Sequence, residues 1–408
     1  MPVLATARSR AGATLLGLVT AATVGAAAPA AAEPVTTDSV LVWYDATAAA
    51  ITAGGATTQV TNNRTWAIAW LAAARAQNTT HSPLGRRAAL AGAVHQTLAT
   101  LIPGQQAAAD ATLAAELAAL PDRKPVRDGV AAGRAAAQRL IAERTGDGLD
   151  PASVNTPFTV PAAAPGVWQP TPPAYAPAAQ YGNRVARPFV LRSAAQFRPA
   201  APPALGTERY ETDLAEVKAY GSATSTVRTQ AQTDTATFWL GSSLTLYTPI
   251  LRAAVAQSPA SIADRTRLVA LFHVAAVDTQ IATSDAKYAY QRWRPVTAIQ
   301  AGGDTAWLPL HATPAHPDYP SGHNTYSGSA EGVLTGLTGP HARQPYTIGS
   351  PTAPGVTRTY TDWHQPSVEN VDARVFSGIH TRNADLAGIR LGSDVARYVL
   401  RQAPALLR

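Results

Sequence analysis

Apolar residues recur at intervals of three and four along most of this 408-residue chain, and this spacing limits the possible folds more than any other feature. Between residues 60 and 146 it marks four amphipathic segments that end at Pro or Gly. Helical spacing returns after residue 206, and its longest run extends from about Ser261 to Arg292. Strand-like alternation is nearly absent. The sequence therefore predicts a mainly α protein of packed helical bundles with almost no strand.

Proline and small residues divide the chain into segments. Residues 151–205 hold 12 of the 32 prolines, which excludes a long helix, and their interleaved aromatics favour an extended segment laid over helices rather than a flexible linker. We therefore predict an N-terminal helical bundle over residues 33–150 and a catalytic helical bundle over residues 206–408. Residues 1–32 combine two arginines, an apolar stretch and a small-residue end, which predict a signal peptide and a secreted protein. A disordered Ala-rich start is the alternative.

Composition excludes several classes of protein. Hydrophobic residues make up 46% and charged residues 14% of the chain, so it can bury a large core and is not a charge-rich disordered protein. The absence of Cys excludes disulfide scaffolds, Cys-ligated metals and Cys nucleophiles. The net charge of +7 is not gathered into a basic run with aromatics, so we expect no nucleic-acid partner. After the N-terminal segment no apolar stretch is long enough to predict a membrane span.

Seven of the nine histidines fall between residues 273 and 380, in the region that holds three charged motifs. In the first motif, Lys287 and Arg294 stand seven residues apart before Pro295, so on one helix they would project from the same face. Two such cations repel each other unless an anion lies between them, and this pair is common around tetrahedral oxyanions. A solvated basic helix end is the alternative for this motif alone.

The second motif is Tyr319-Pro-Ser-Gly-His323, which opens an apparent helix. Ser321 can cap this helix, and Gly322 lets the backbone approach a ligand closely. The first free amides of a helix carry partial positive charge and form an anion seat. His323 would stand beside that anion with a pKa suited to proton transfer. An ordinary Ser-Gly helix start with a surface histidine is the alternative.

The third motif spans Arg374, Gly378 and His380, just before the last helical segment. On a continuous helix the Arg and the His would point about 120° apart. Gly378 instead indicates a turn, which would let both side chains converge on one point. A loop arginine beside a chance histidine is the alternative for this motif alone.

Together the motifs supply three cations, a hydroxyl, a glycine amide and two imidazoles. That set matches a trigonal-bipyramidal oxyanion, whose equatorial oxygens need positive donors and whose axial positions need a nitrogen ligand and a proton donor. A rival hypothesis is a divalent metal site formed by His311, His316, Asp318 and His323. The cations of the other motifs argue against it because they would repel such a metal.

In order and spacing the three motifs resemble the superfamily of vanadium-dependent haloperoxidases and type 2 phosphatidic acid phosphatases, whose pattern is Lys-x6-Arg-Pro, Pro-Ser-Gly-His and Arg-x5-His. Segments 66–75, 165–173 and 378–382 are also similar to secreted bacterial haloperoxidase-like proteins. The resemblance extends over nearly all of the chain after the N-terminal segment. It implies the helical-bundle fold of the vanadium haloperoxidase and acid phosphatase type.

The resemblance also implies a cofactor and residue roles. Vanadate would be the cofactor, and phosphate can occupy the same site. Its binding residues would be Lys287, Arg294, Ser321, Gly322, Arg374 and His380. His380 would bind vanadium axially, His323 would be the acid–base partner, and Lys287 would polarise hydrogen peroxide. The enzyme would then oxidise a halide with hydrogen peroxide, and an organic acceptor would take the halogen.

The alternative activity in this superfamily is hydrolysis of a phosphate ester, in which His380 would attack phosphorus and His323 would protonate the leaving oxygen. The long helical region before the motifs favours the haloperoxidase, because compact acid phosphatases need only one bundle. A non-catalytic oxyanion-binding relative is a third possibility. The phosphatase pattern has Asp four residues after the nucleophilic His, where this chain has Ala384. The residue that orients His380 is therefore open among Asp385, Asn383 and a residue elsewhere.

Overall fold

A computed structural model describes residues 38–408. The predicted signal peptide, residues 1–32, lies outside the described residues. The described part is helical apart from loops and one hairpin, which confirms the predicted mainly α fold class. Its α-helices are α1 (Ser39–Gly54), α2 (Gln59–Asn78), α3 (Pro83–Leu101), α4 (Gln106–Ala118), α5 (Lys124–Glu143), α6 (Pro151–Val154), α7 (Glu208–Tyr220), α8 (Gln230–Phe238), α9 (Ser243–Gln257), α10 (Ile262–Tyr290), α11 (Pro295–Ala301), α12 (Gly322–Thr338), α13 (Gln365–Phe376) and α14 (Arg382–Leu406).

A single antiparallel hairpin is the sheet structure within residues 38–408. It pairs β1 (His341–Ser350) with β2 (Ala353–Asp362), and a register shift lies between His341 and Tyr346. Most residues of both strands are exposed, so the sequence carries little of the apolar alternation that would have marked them. Short 3-10 helices occur at Pro103–Gln105 and Tyr181–Val185.

Small residues allow the helices to pack closely. An added Cβ at Gly133 of α5 would lie 2.2 Å from the backbone oxygen of Ala89 in α3. An added Cβ at Gly392 of α14 would lie 2.0 Å from the backbone oxygen of Thr325 in α12. Backbones that approach this closely tolerate only glycine at the contact, which explains the use of small residues along both helix pairs.

Helix α10 is the central element of the fold. It is 29 residues long and buried along most of its length, and it packs against α2, α12 and α14. Because its surroundings are apolar on nearly every side, it has almost no amphipathic pattern of its own. Its C-terminal turn carries Lys287 and ends beside the start of α12. The centre of the core therefore fixes the position of one charged motif.

The Pro-rich segment runs across α10 and is held there by acidic side chains. Asp285 forms a two-pronged ion pair with Arg198, at 2.8 and 2.9 Å. Asp278 is fully buried and accepts three backbone N–H bonds at 2.6 to 2.9 Å, from Phe189, Val190 and Leu191. These contacts tie an extended chain to the helix that carries Lys287. The division of the chain into two bundles and this segment stays a prediction.

Within residues 38–408, every helix is either too short or too polar to cross a bilayer.

Candidate functional site

The first motif does not lie on one helix. Helix α10 ends at Tyr290 because Gln291 adopts a left-handed backbone conformation, with φ 48°. Arg294 then stands at the N-cap position of α11. The expectation that Lys287 and Arg294 share a helix face is therefore wrong, since the chain turns between them. The turn still brings both side chains into the same buried region, where Lys287 is 2% and Arg294 is 0% exposed.

Backbone carbonyls of the loop before α12 hold both cations. The Lys287 ammonium donates to the backbone oxygens of Pro317 and Asp318, at 2.6 and 3.1 Å. Arg294 Nε donates to the backbone oxygen of His316 at 2.7 Å, and its Nη1 donates to that of Ile379 at 2.6 Å. Arg294 thus joins the loop that precedes the second motif to the turn that holds the third.

The second motif opens α12 as the sequence predicts. Ser321 occupies the N-cap position, but its hydroxyl accepts no bond from the helix amides, so the expected side-chain cap is not formed. Gly322 is the first helical residue, and an added Cβ there would meet only Lys287 Cε, at 3.9 Å. His323 Nε2 lies 2.9 Å from the backbone oxygen of Gly241 and must donate its proton to it. Its Nδ1 is then the nitrogen that can take up a proton.

The third motif converges as expected. Gly378 has a φ of 76° and turns the chain between α13 and α14. Arg374 and His380, on either side of this turn, are each 1% exposed. Arg374 Nη1 donates to the backbone oxygen of Trp239 at 3.1 Å. His380 Nε2 lies 3.1 Å from Arg294 Nη1.

Asp318 orients His380, which settles a question that the sequence left open. Its Oδ1 lies 2.6 Å from His380 Nδ1, and its Oδ2 accepts from Thr381 Oγ1 at 2.8 Å. Because a carboxylate accepts and Arg294 can only donate, Nδ1 carries the proton and Nε2 keeps its lone pair. His380 therefore presents a neutral imidazole whose unprotonated Nε2 faces the cations and accepts from Arg294 Nη1. Asp385 and Asn383, the residues named beforehand, make no hydrogen bond to His380.

Burial and mutual repulsion control the charges of the cluster. Burial lowers the pKa of Arg294 and of Arg374 to about 10, so both remain charged at neutral pH. Burial, with Arg294 adding to it, lowers the pKa of Lys287 and that of His380 from their ordinary values. Burial and the charge of Arg374 lower the pKa of His323 to about 3. An anion bound among these groups would reverse the direction of the last three shifts.

The nearby carboxyls neutralise only part of this positive charge. Burial raises the pKa of Asp385 to about 8, so this side chain carries a proton at neutral pH. Burial also raises the pKa of Asp318, against the opposing charges of Arg294 and Lys287. The cluster therefore holds more positive than negative charge in a region with no bulk water to screen it.

Unpaired donors show what the cluster lacks. Within the described part of the chain, Ser321 Oγ and Arg374 Nε are buried without any hydrogen-bond partner. A buried donor without a partner costs about 1–3 kcal/mol, and a charged donor costs more. An oxyanion supplies acceptors to such donors and compensates the excess positive charge. The residues present therefore fit vanadate or phosphate in charge and in donor chemistry.

A cavity of about 180 Å³ lies at this cluster. It is lined by Gly322, His323 and His380, together with His316, whose Nδ1 accepts from Arg294 Nη2 at 3.0 Å. The two imidazoles of the second and third motifs thus face one shared space. Its volume suits an oxyanion with small inorganic reactants.

The rival divalent-metal hypothesis is wrong for the described residues, among which no group of three or more His, Cys, Asp or Glu side chains is arranged to hold a metal ion. His311 lies 3.1 Å from Ser377 Oγ through its Nδ1. Asp318 is engaged by His380, and His316 by Arg294. The four residues named for that site therefore serve separate contacts.

Comparison with known proteins shows that part of the chain is similar to one class of protein. Residues 267–408 match the family model described as the VCPO second helical-bundle domain. This region contains all three motifs and the whole buried cluster. The resemblance to the vanadium haloperoxidases that the motifs indicated is thereby confirmed.

Particular relatives agree with this class. The vanadium chloroperoxidase of Curvularia inaequalis is 29% identical over 31% of this chain, and the match spans 29% of the length of that protein. A bacterial vanadium-dependent iodoperoxidase superposes with a TM-score of 0.73 and 24% identity, covering 89% of this chain and 95% of its own. A bacterial vanadium-dependent chloroperoxidase in its holo form superposes with a TM-score of 0.64 and 14% identity, covering 90% and 92%. The superpositions show that the whole described chain has the helical fold of these enzymes.

Proposed function

We propose that this protein is a secreted vanadium-dependent haloperoxidase that oxidises a halide with hydrogen peroxide and passes the halogen to an organic acceptor. The observation that carries the proposal is the buried cluster of unpaired donors around a neutral, oriented His380. Such a cluster gains most from a multiply charged oxyanion with one open coordination position. The similarity to iodo- and chloroperoxidases supports the choice of vanadate as that oxyanion.

Each residue has a definite role in this proposal. Arg294, Arg374 and Lys287 would hold vanadate by charge, and Ser321 Oγ with the Gly322 amide would hold it by hydrogen bonds. His380 Nε2 would provide the direct bond to vanadium. When bound, vanadate supplies Lewis-acid activation of hydrogen peroxide toward two-electron oxidation of the halide.

Side chains of the protein would hold and transfer the protons of the reaction. Asp318 holds the proton of His380 on Nδ1 and so keeps Nε2 free as a ligand. His323 donates from Nε2 to Gly241, which leaves Nδ1 to accept a proton from hydrogen peroxide and to return it to the departing oxygen. Lys287 lies beside Gly322 and would polarise the same reactant.

A phosphatase that acts through a phosphohistidine is the second candidate. It is favoured by the same His380 geometry, because a neutral imidazole with its Nδ1 proton held by a carboxylate is also a good nucleophile. In that reaction Nε2 bonds to phosphorus, the ester oxygen departs with a proton from His323, and water then releases phosphate. His323 must carry a proton for this step, and an anionic ester bound beside it would favour the protonated imidazole.

One assay series distinguishes the candidates. The purified protein is incubated with and without orthovanadate and tested for peroxide-dependent bromination of a phenol dye and for hydrolysis of an aryl phosphate. Bromination only with vanadate is expected from the proposal. Hydrolysis that vanadate inhibits would identify the phosphatase instead. Vanadate binding with neither activity would identify a non-catalytic oxyanion-binding protein.

Two variants link the activity to the cluster. His380→Ala removes the nitrogen ligand, so vanadate binding and bromination should both be lost. His364→Ala is the matched control, since His364 pairs with Glu331 and its side chain is 67% exposed. Full bromination by the His380 variant would refute the assignment of the ligand. N-terminal sequencing of the exported protein tests secretion, which predicts a start after residue 32.

A further inference from the structure

An outer cavity of about 800 Å³ adjoins the candidate site. The end of α1 and the start of α2 form one wall, and the Pro-rich segment with the start of α9 forms the other. Gln59, Gln180 and Gln280 line both this outer chamber and the inner cavity that holds His323 and His380. The two cavities therefore meet at these three side chains, which we call the glutamine neck.

Two members of the glutamine neck are fixed by hydrogen bonds. Gln59 Oε1 accepts from Ser242 Oγ at 2.7 Å and from the Leu244 backbone N–H at 3.2 Å. Gln59 Nε2 donates to Gln280 Oε1 at 3.0 Å. Because these contacts join α2, α9 and α10, the opening between the cavities has a defined shape.

Gln180 differs from the other two. Its backbone has a φ of 63°, in the left-handed region that costs a non-glycine residue about 1–2 kcal/mol. Its side-chain amide makes no hydrogen bond to any residue that the structure describes. This exposed amide lies at the junction of the two cavities, where a ligand can reach it.

The chamber itself has an unusual lining. None of the residues around it is Asp, Glu, Lys, Arg or His, although the adjoining inner cluster is strongly cationic. Apolar side chains such as Ile51 and Leu244 alternate with amides and hydroxyls. Asn183 is 1% exposed, and its Oδ1 is buried without a partner within residues 38–408. A ligand with a donor group would satisfy this oxygen.

The two volumes separate the reactants by size. The inner cavity of about 180 Å³ suits inorganic reactants, whereas about 800 Å³ lies in the range of pockets that hold small organic molecules. An uncharged lining gives no attraction to an anionic ester and leaves neutral ligands to be selected by shape and hydrogen bonds.

We infer that the outer chamber binds the organic acceptor, an uncharged electron-rich aromatic molecule with a hydroxyl group, through Gln180 and Asn183. This inference rests on the proposed function. One halide, one hydrogen peroxide and one proton give hypohalous acid and water. The halogen then replaces a ring hydrogen of the acceptor, and the released proton joins the remaining hydroxide as a second water.

The test measures binding directly, apart from turnover. Isothermal titration calorimetry of the full chain without vanadate uses 2-naphthol as the probe and 2-naphthyl phosphate as its charged counterpart. The altered proteins are Gln180→Ala and Asn183→Leu. Gln169→Ala is the matched control, because Gln169 lies on the same Pro-rich segment and lines neither of the two cavities.

The expected result is 2-naphthol binding that is about fivefold to tenfold weaker in both altered proteins and unchanged in the control, as for one lost hydrogen bond. Binding of 2-naphthyl phosphate should not depend on Gln180. Because the Gln180 side chain is exposed, its variant should fold even if the buried Asn183 variant does not. The absence of 2-naphthol binding, or equal binding by the wild type and Gln180→Ala, would overturn the inference.

A separate measurement identifies a failure of the proposed function. Hypobromous acid released from bromide and hydrogen peroxide by the vanadate-loaded wild type, with no acceptor present, measures the proposed function without the acceptor site. If the wild type releases none, the proposed function is contradicted. If release is normal and 2-naphthol does not bind, only the acceptor site is contradicted.

Discussion

Replacing Asp318 by asparagine changes one buried charge and leaves its volume nearly unchanged. Asp318 Oδ1 accepts from His380 Nδ1 at 2.6 Å, and both side chains are almost completely buried, at 2% and 1% exposure. Its Oδ2 accepts from the Thr381 hydroxyl at 2.8 Å. An asparagine would present one oxygen and one NH₂ group to these two partners in place of two accepting oxygens.

An NH₂ group that faces His380 Nδ1 can only donate to it. That nitrogen then has to accept, so the proton moves to Nε2 and removes the lone pair that would bind vanadium. The lost charge-assisted hydrogen bond corresponds to about 1.5–3 kcal/mol, or about 10- to 150-fold in affinity. We expect Asp318→Asn to weaken vanadate binding by at least tenfold and to remove most of the activity.

Calorimetric titration with orthovanadate measures the affinity, and ¹⁵N NMR of histidine-labelled protein reports which nitrogen of His380 is protonated. Asp385→Asn is the matched control, because burial raises the pKa of Asp385 to about 8 and its neutral acid resembles an amide. This control should change affinity by less than about threefold. Equal affinity of Asp318→Asn and wild type, or an unchanged His380 tautomer, would refute the reasoning.

Three further outcomes are expected. Lys287→Ala should weaken vanadate binding by about tenfold or more in calorimetry, whereas Lys218→Ala, at a half-exposed surface ion pair, should not. His323→Gln should bind vanadate within about threefold of wild type but lose most turnover. In the wild type, the pKa of His323 is about 3 in the folded state and about 6.5 in the unfolded state. Between these two pH values the unfolded state binds the extra proton. The free energy of unfolding therefore decreases as the pH falls through this window. The drop in unfolding free energy from pH 6.5 to 4.5, measured with urea, should be about 2 kcal/mol smaller in His323→Gln, and an equal drop would contradict the buried neutral imidazole. Asp278→Ala leaves three backbone N–H groups unpaired and should lower the free energy of unfolding by about 3 kcal/mol or more. Asp304→Ala, at a surface ion pair, should lower it by less than about 1 kcal/mol.

Much of the fold was predictable because local spacing encodes it. The segment from about Ser261 to Arg292 was predicted as helical and forms α10 over Ile262–Tyr290, because its flanking Ser261 caps the start and its apolar length must be buried. Other elements had weaker signals. Helix α1 follows the N-terminal segment without a break in composition, and the exposed hairpin lacks apolar alternation. Their formation depends on packing against neighbours rather than on local pattern.

The residue types of the candidate site were predictable, but the contacts among them were not. Lys287 and Arg294 were expected to meet on one helix face, but Gln291 ends α10 between them and a turn brings them together. The sequence left the partner of His380 open among Asp385, Asn383 and a residue elsewhere, and the partner is Asp318, 62 residues away. The sequence shows the pattern His316-Pro-Asp318 before the second motif. The acidic residue type of Asp318 is the only feature of this pattern that could have indicated its role as the partner of His380.

By itself, the order of amino acids determined which donors the protein brings to its pocket and which helices carry them. Helix periodicity, cap residues and the three motifs are all properties of a few consecutive positions, so they can be read without coordinates. Only the tertiary structure decided that Asp318 holds the proton of His380, that Ser321 and Arg374 keep unpaired donors, and that three glutamines separate a small cavity from a large uncharged one. These features arise where distant segments pack side by side, and burial there changes pKa values and hydrogen-bond needs in ways that no local sequence pattern records.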